Sequence, residues 1–468
     1  MKFSFFIILF ILFFNGCGET TNSNTTLDEN DSTDTSNLAP TYFGGLYNEQ
    51  WYMEKDSSFY TLHNINSEAH IHPSNTTYQT YTGKGVKIAI IDNGFDINHP
   101  EIKDNIIVTS YVKNDGTIIS DVSQSDADDN HGTAVSGIIA SKDNGVGIRG
   151  IAPESSLILI KMPSAISDST MIKLFEEALE YGADVINCSW GRGNISLTIR
   201  DYINGITRTA RGGKGVNIVF AAGNENNGTV METDEAGIEN VIGVGATDGD
   251  NLRTYYSNYG NLLDIVAPGG YYHSIATIDP LGTNGATEDE YNRYNQTQDD
   301  VEVGFIGTSA SAPIITGAIA LLLEKNPNLT SAEIQEKLKI ATDTIGQNTP
   351  YIYDMVSSNS QTPTISGIYG TNINTTFKVK LTSNSTNTTY GPYIVTSGIN
   401  NTWNSNVTHT LPNGNYTIDL LDNDGTTIWA TDDDFIINTA LSYSTINTTR
   451  KKSNYYGYGK INLSKLLQ

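Results

Sequence analysis

Asp92, His131 and Ser309 supply a carboxylate, an imidazole and a hydroxyl, the three groups that together turn an alcohol into a nucleophile. A serine hydroxyl attacks poorly until a base takes its proton, and an imidazole, with an ordinary pKa near neutrality, is the natural base. A carboxylate behind it fixes the ring's tautomer and stabilises the imidazolium as it forms. Ser309 stands in Gly307-Thr308-Ser309-Ala310-Ser311-Ala312-Pro313, where small residues precede a run that turns apolar and helical. That setting exposes a hydroxyl at a helix N-terminus. Taken singly, each residue has a plainer reading: a helix cap for the serine, a capping aspartate, a surface histidine.

The elements that must hold these groups are legible around them. Val86 to Ile91 is a mostly apolar run of strand length, stopped by Asp92-Asn93-Gly94. It reads as a buried parallel strand with Asp92 at its C-terminal end, where open α/β sheets place their sites. His131-Gly132-Thr133-Ala134-Val135-Ser136-Gly137 opens a helix whose small residues permit close packing.

With Asp, His and Ser in this order and with these flanks, the chain resembles the subtilisin-like serine proteases, from about Gln50 to Ala341 and again from Tyr456 to Leu463. The resemblance implies an α/β three-layer fold around a mainly parallel seven-stranded sheet, with Asp92, His131 and Ser309 as the catalytic triad. Ala221-Ala222-Gly223-Asn224 is similar to the segment carrying the family's oxyanion-hole asparagine, here Asn224, which otherwise reads as a turn residue. Its amide and the Ser309 backbone N–H would donate to the oxyanion. Ala310, Cys188-Ser189-Trp190-Gly191 and Arg211 to Gly215 are similar to the kexin-like branch. Kexins have an acidic cluster after the tryptophan-glycine pair that selects basic substrates. Here Arg192 and Gly193 follow, which puts a paired-basic preference in doubt.

By the same resemblance, Ser189, Trp190 and Gly191 form the edge that pairs with an extended substrate backbone. The loop Lys142 to Ile148 matches the family's calcium loop. Glu101 and Asn144 would supply side-chain oxygens, and Lys142, Val146 and Ile148 backbone carbonyls, a hard oxygen set suited to Ca2+. A glycine-rich loop without an ion is the alternative. Asp126, Asp128 and Asp129 read as a solvated acidic loop.

Residues 1–17 read as a signal segment, with an apolar Phe5 to Phe14 too short to span a bilayer comfortably. Its end resembles a bacterial lipoprotein signal, which implies a lipid on Cys17 and an extracytoplasmic place in the cell envelope, or otherwise secretion. Residues 18–45 are expected to be a polar tether too short for an inhibitory prodomain. The peptidase domain is expected at 46–355 and 449–468, with 356–448 as an inserted β-sandwich-like domain, because short alternating runs lie there between turn signals. The net charge of -25 argues against nucleic acid and anionic membrane surfaces as partners. The expected partners are protein or peptide substrates, with membrane contact through the lipid anchor alone and a monomeric state. Two other readings stand beside a serine endopeptidase of broad action: a narrow processing protease, and a catalytically idle surface binding protein acting through the β insert.

Overall fold

The computed structural model describes residues 49–73, 80–124, 127–226, 230–231, 233–282, 285, 291–292, 304–346, 350–369, 377–397, 402–422, 424–425, 427–441 and 444–468. Cys17, the signal segment and the tether lie outside them, as do Asp126 and the side chain of Asp128. Residues 42–468 make one compact unit. Among the described residues, no helix is long and apolar enough to cross a membrane.

The strands, in chain order, begin with β1 Lys87–Asp92, β2 Ile106–Val112, β3 Ile118–Ile119, β4 Ser156–Lys161, β5 Val185–Cys188 and β6 Asn217–Ala221. They continue with β7 Ile242–Thr247, β8 Ile265–Pro268, β9 Thr277–Ile278, β10 Tyr291–Asn292 and β11 Thr342–Asp343. Then follow β12 Pro350–Ser358, β13 Thr364–Tyr369, β14 Lys378–Ser383, β15 Thr389–Ile394 and β16 Thr396–Ser397. The last are β17 Thr402–Asn406, β18 Gly414–Leu421, β19 Ile428–Ile437, β20 Thr445–Lys452 and β21 Lys460–Ile461. The helices are α1 Ser57–Leu62, α2 His131–Ala140, α3 Asp168–Glu180, α4 Leu197–Gly213, α5 Thr308–Lys325, α6 Ser331–Ile340 and α7 Leu463–Leu466.

The main sheet runs β11-β21-β8-β7-β6-β5-β1-β4-β2-β3 and has ten strands, not the expected seven. Seven longer strands, β8 to β2 in that order, are all parallel. The additional three are two-residue strands at the margins, too short to leave a periodic signal, and β3 and β11 pair antiparallel. Alternation assigns the faces. Ile88, Ile90, Leu157, Leu159 and Val219 join one core with residues of α2 and α5. Ala89, Ile91, Ile158, Ile160, Ile218 and Phe220 join the other with residues of α3 and α4. Strands covered on both faces need continuous apolar runs, which is why β1 and β4 read so plainly.

β1 lies between β4 and β5, so the chain crosses over it after β4 and fills the sheet on the other side. Asp92 therefore ends the strand at a topological switch point, where crevices open at the carboxyl ends of parallel strands. β12 to β20 build a separate nine-stranded sheet with its own core. Phe377, just before β14, meets Trp403 of β17 edge-on at 5.1 Å although several strands separate them in the order, so this sheet folds over on itself. Its strands run from Pro350 to Lys452, and the first and last of them pair, Ile352 opposite Lys452 and Tyr353 opposite Lys451.

Both chain margins are drawn into the larger core. Trp51, Tyr52 and Met53 are fully buried. Leu463 donates its N–H to the Ile71 carbonyl, and Ser464 donates N–H and hydroxyl to that of His72. Lys460, fully buried in β21, donates to the Glu68 carbonyl and to Asn251 Oδ1.

Candidate active site

Asp92 is 1% exposed, and its Oδ1 and Oδ2 lie 2.8 and 3.1 Å from His131 Nδ1. This approach requires glycine after the histidine. A Cβ at Gly132 would stand 2.4 Å from the Gly94 carbonyl oxygen, so any side chain there would lift the start of α2 off the end of β1. Burial pulls the imidazole's pKa down, but the charge and hydrogen bond of Asp92 outweigh it, and the ring holds its proton above the ordinary 6.5. Phe305 packs against the ring at 5.2 Å, joining it to the segment that leads into Ser309.

Ser309 is in the first turn of α5. Its hydroxyl donates to the Ser189 carbonyl at 2.9 Å, not to His131, and the Ser189 hydroxyl returns a bond to the Ser309 carbonyl at 2.9 Å. The second bond has a covalent cause. Pro313 has no N–H to offer the carbonyl four residues earlier, which is that of Ser309, so a side chain outside the helix supplies the donor. Buried polar groups extend the link: Thr316 donates to Asn187 Oδ1 at 2.9 Å, and Asn187 Nδ2 donates to Ser189 Oγ at 3.0 Å.

Asn224 follows β6, beside the start of α5. Thr308 donates to its Oδ1 twice, from the backbone N–H at 2.9 Å and the hydroxyl at 3.0 Å. Since a backbone amide can only donate, the Asn224 oxygen must face it and the Nδ2 group is left to face the other way, as a donor. Sequence reading found Asn224 but missed Thr308; its place beside the serine was the available signal.

Ser189 is buried, and the Trp190 indole donates to the Ile91 carbonyl at 2.7 Å, fastening the edge segment to β1. The buried carboxylate of Glu235 was also missed. It accepts the Arg192 N–H at 3.1 Å and the Gly193 N–H at 3.2 Å, and the Arg192 Nε stands 3.6 Å from it. Nothing in the local sequence marks Glu235 as a neighbour of residue 192.

Glu101 and Asn144 are brought together, with Asn144 Nδ2 3.3 Å from Glu101 Oε1, and Glu101 is 2% exposed. The Lys142 N–H donates to the Glu101 carbonyl, and the Val146 N–H to Asn144 Oδ1. Among the described residues, no donor hydrogen-bonds the carbonyls of Lys142, Val146 or Ile148. The buried Glu101 carboxylate, from another segment, meets a loop that carries an amide and three uncommitted carbonyls, oxygens of the kind Ca2+ takes. Among the described residues, no group of three or more His, Cys, Asp or Glu could hold a metal ion.

The family model described as the subtilase family matches residues 83–371. Subtilisin NAT of Bacillus subtilis subsp. natto is 32% identical over 279 residues, covering 58% of this chain and 64% of that protein, just under two thirds of its length. Subtilisin Savinase of Lederbergia lenta is 30% identical over 285 residues, covering 60% of this chain and 92% of its own. The crystal structure of a serine protease of Aeromonas sobria superposes with a TM-score of 0.51 at 19% identity over 93% of this chain and 98% of that one, a likeness of fold.

Proposed function

The chain belongs to the subtilase family, and from that premise we propose that it is a serine endopeptidase with Ser309 as nucleophile, His131 as general base and acid, Asp92 as the group that orients the ring, and Asn224 as an oxyanion donor. The observation that carries this reading is the buried Asp92 carboxylate at 2.8 Å from His131 Nδ1, at the start of a helix that packs against the one whose first turn holds Ser309. Ser309 turns its hydroxyl from the Ser189 carbonyl toward His131 as substrate docks, since catalytic hydrogen bonds commonly tighten only in the substrate complex. Its oxygen adds to the peptide carbonyl carbon while His131 takes the proton. Asn224 Nδ2 and the Ser309 N–H then face the new oxyanion, aided by the positive end of the α5 dipole. The imidazolium returns the proton to the departing amine, and water releases the acyl group by the same route.

Ser189, Trp190 and Gly191 pair with the substrate backbone in this reading. Glu101 and Asn144, with the carbonyls of Lys142, Val146 and Ile148, hold a structural Ca2+. The ion's chemistry is to bind loop oxygens, not to take part in the cleavage. Cys17 carries the lipid that keeps the enzyme on the envelope, and the kexin-like branch rests on Ala310, Cys188 and the Arg211 segment. Fluorophosphonate labelling tests the activity: protein lacking residues 1–17 should take the label and Ser309→Ala should not. Labelling that persists in Ser309→Ala, or fails in the folded parent, refutes it. Chelation should lower the melting temperature of the parent but leave that of Asn144→Ala unmoved; equal responses would reject the ion.

A further inference from the structure

The segment after Trp190 lacks acidic residues, yet the structure places one beneath it. Glu235 is 2% exposed, and a Cβ added to Gly191 would stand 3.5 Å from its Oε2. The carboxylate thus lies directly under the edge that pairs with substrate. The turn that carries it, Glu235–Gly237, packs against β6, whose continuation bears Asn224. Edge and continuation leave the ends of neighbouring parallel strands, Cys188 opposite Phe220. In the endopeptidase reading, a substrate residue whose carbonyl reaches Asn224 and Ser309 would place its side chain between these two segments, near Glu235.

A carboxylate this buried calls for a counter-charge. The protein provides its own in Arg192. The Arg192 Nε faces Glu235 Oε1 at 3.6 Å, Nη1 donates to the Ile166 carbonyl at 2.6 Å, and Nη2 stands 3.6 Å from Asp168 Oδ1. The guanidinium is therefore held between the Glu235 turn and the start of α3, one-quarter exposed.

We propose that Arg192 occupies from within the place a basic substrate side chain would take against Glu235, so that the enzyme cleaves after uncharged residues and disfavours Arg or Lys before the scissile bond. The proposal rests on the endopeptidase reading for its substrate, but Arg192 and Glu235 can be probed without turnover.

Benzamidine, a small cationic amidine, is the probe, titrated by calorimetry into the folded parent, Arg192→Ala, Arg192→Gln and Arg192→Ala/Glu235→Gln. Both single variants should bind it about 10- to 100-fold more tightly than the parent, the span expected for hydrogen bonds to a charged group, and the double variant should lose that gain. Peptides differing only before the scissile bond should show the same exchange: kcat/KM for Arg over Leu rises in Arg192→Ala and falls back in the double variant. A loosened structure would not restore discrimination through Glu235. Equal benzamidine binding by parent and both single variants, or a gain that survives Glu235→Gln, overturns the proposal. If no form hydrolyses peptide or takes the fluorophosphonate, the endopeptidase reading fails while benzamidine still reports on Arg192.

Discussion

His131 feels two opposed influences, burial that lowers its pKa and the Asp92 carboxylate that raises it, and Asp92 wins. As a base the ring must be neutral, so activity is lost as pH falls through its pKa. The acid limb of kcat/KM in the parent should therefore lie above 6.5, the ordinary value. In Asp92→Asn burial remains and the opposing charge is gone, so the limb should move to lower pH while kcat falls about 10^4-fold. Stopped assays across pH 5 to 9 would check both, and an unmoved limb would detach Asp92 from the base. At this scale the sequence was most readable where a residue type is bound to a role. Asp92, His131, Ser309 and Asn224 each sit in a local pattern that names the element carrying them. Thr308 fixing the Asn224 amide, and Glu235 beneath Gly191, were hidden because one is an ordinary cap-type residue and the other arrives from a distant turn.

Elements meet at this site at backbone distance. α2 touches the turn after β1 at Gly132, where a methyl group would fall 2.4 Å from the Gly94 oxygen. Gly132→Ala should cost about 1–3 kcal/mol in denaturant titration, the usual toll of overpacking, and should lower kcat by separating His131 from Asp92. Full stability with full activity would mean that α2 does not need this contact. The strands and helices around the site were legible because burial on both sheet faces demands long apolar runs. The two-residue strands β3, β11 and β21 were not, since two residues hold no periodicity. Likewise the pairing of β12 with β20 joins residues far apart in sequence, which no local pattern encodes.

At the scale of the whole molecule, Lys460 is a fully buried lysine. Burial lowers its pKa from 10.5 to about 7, with Asp343 and Glu68 opposing weakly. In the unfolded chain the amine keeps its proton to higher pH, so between about 7 and 10.5 the unfolded state binds more protons and stability rises with pH. This one group contributes a slope of up to about 1.4 kcal/mol per pH unit there. Lys460→Met should flatten that part of the stability curve in urea titrations, and an unchanged slope would mean that Lys460 stays charged when folded. β21 lies in the main sheet beside β8. That Lys460 reaches the Glu68 carbonyl was not visible in the sequence, because no local pattern encodes a contact between residues so far apart along the chain.

That meeting of margins sets a timetable. A ribosome releases Ile71 and β8 long before β21 and Leu463, their partners, so this edge of the main sheet stays open until the residues of the second sheet have emerged. Closing so long a loop is slow, and the residues of the second sheet must be synthesised before it can happen. Chains arrested before Lys460 should therefore take no fluorophosphonate, and the same chains released to full length should take it; labelling of arrested chains would show that the site matures without its last strand. A site of the proposed kind would thus become reactive only after the second sheet had been made, which ties its maturation to a segment remote from the chemistry.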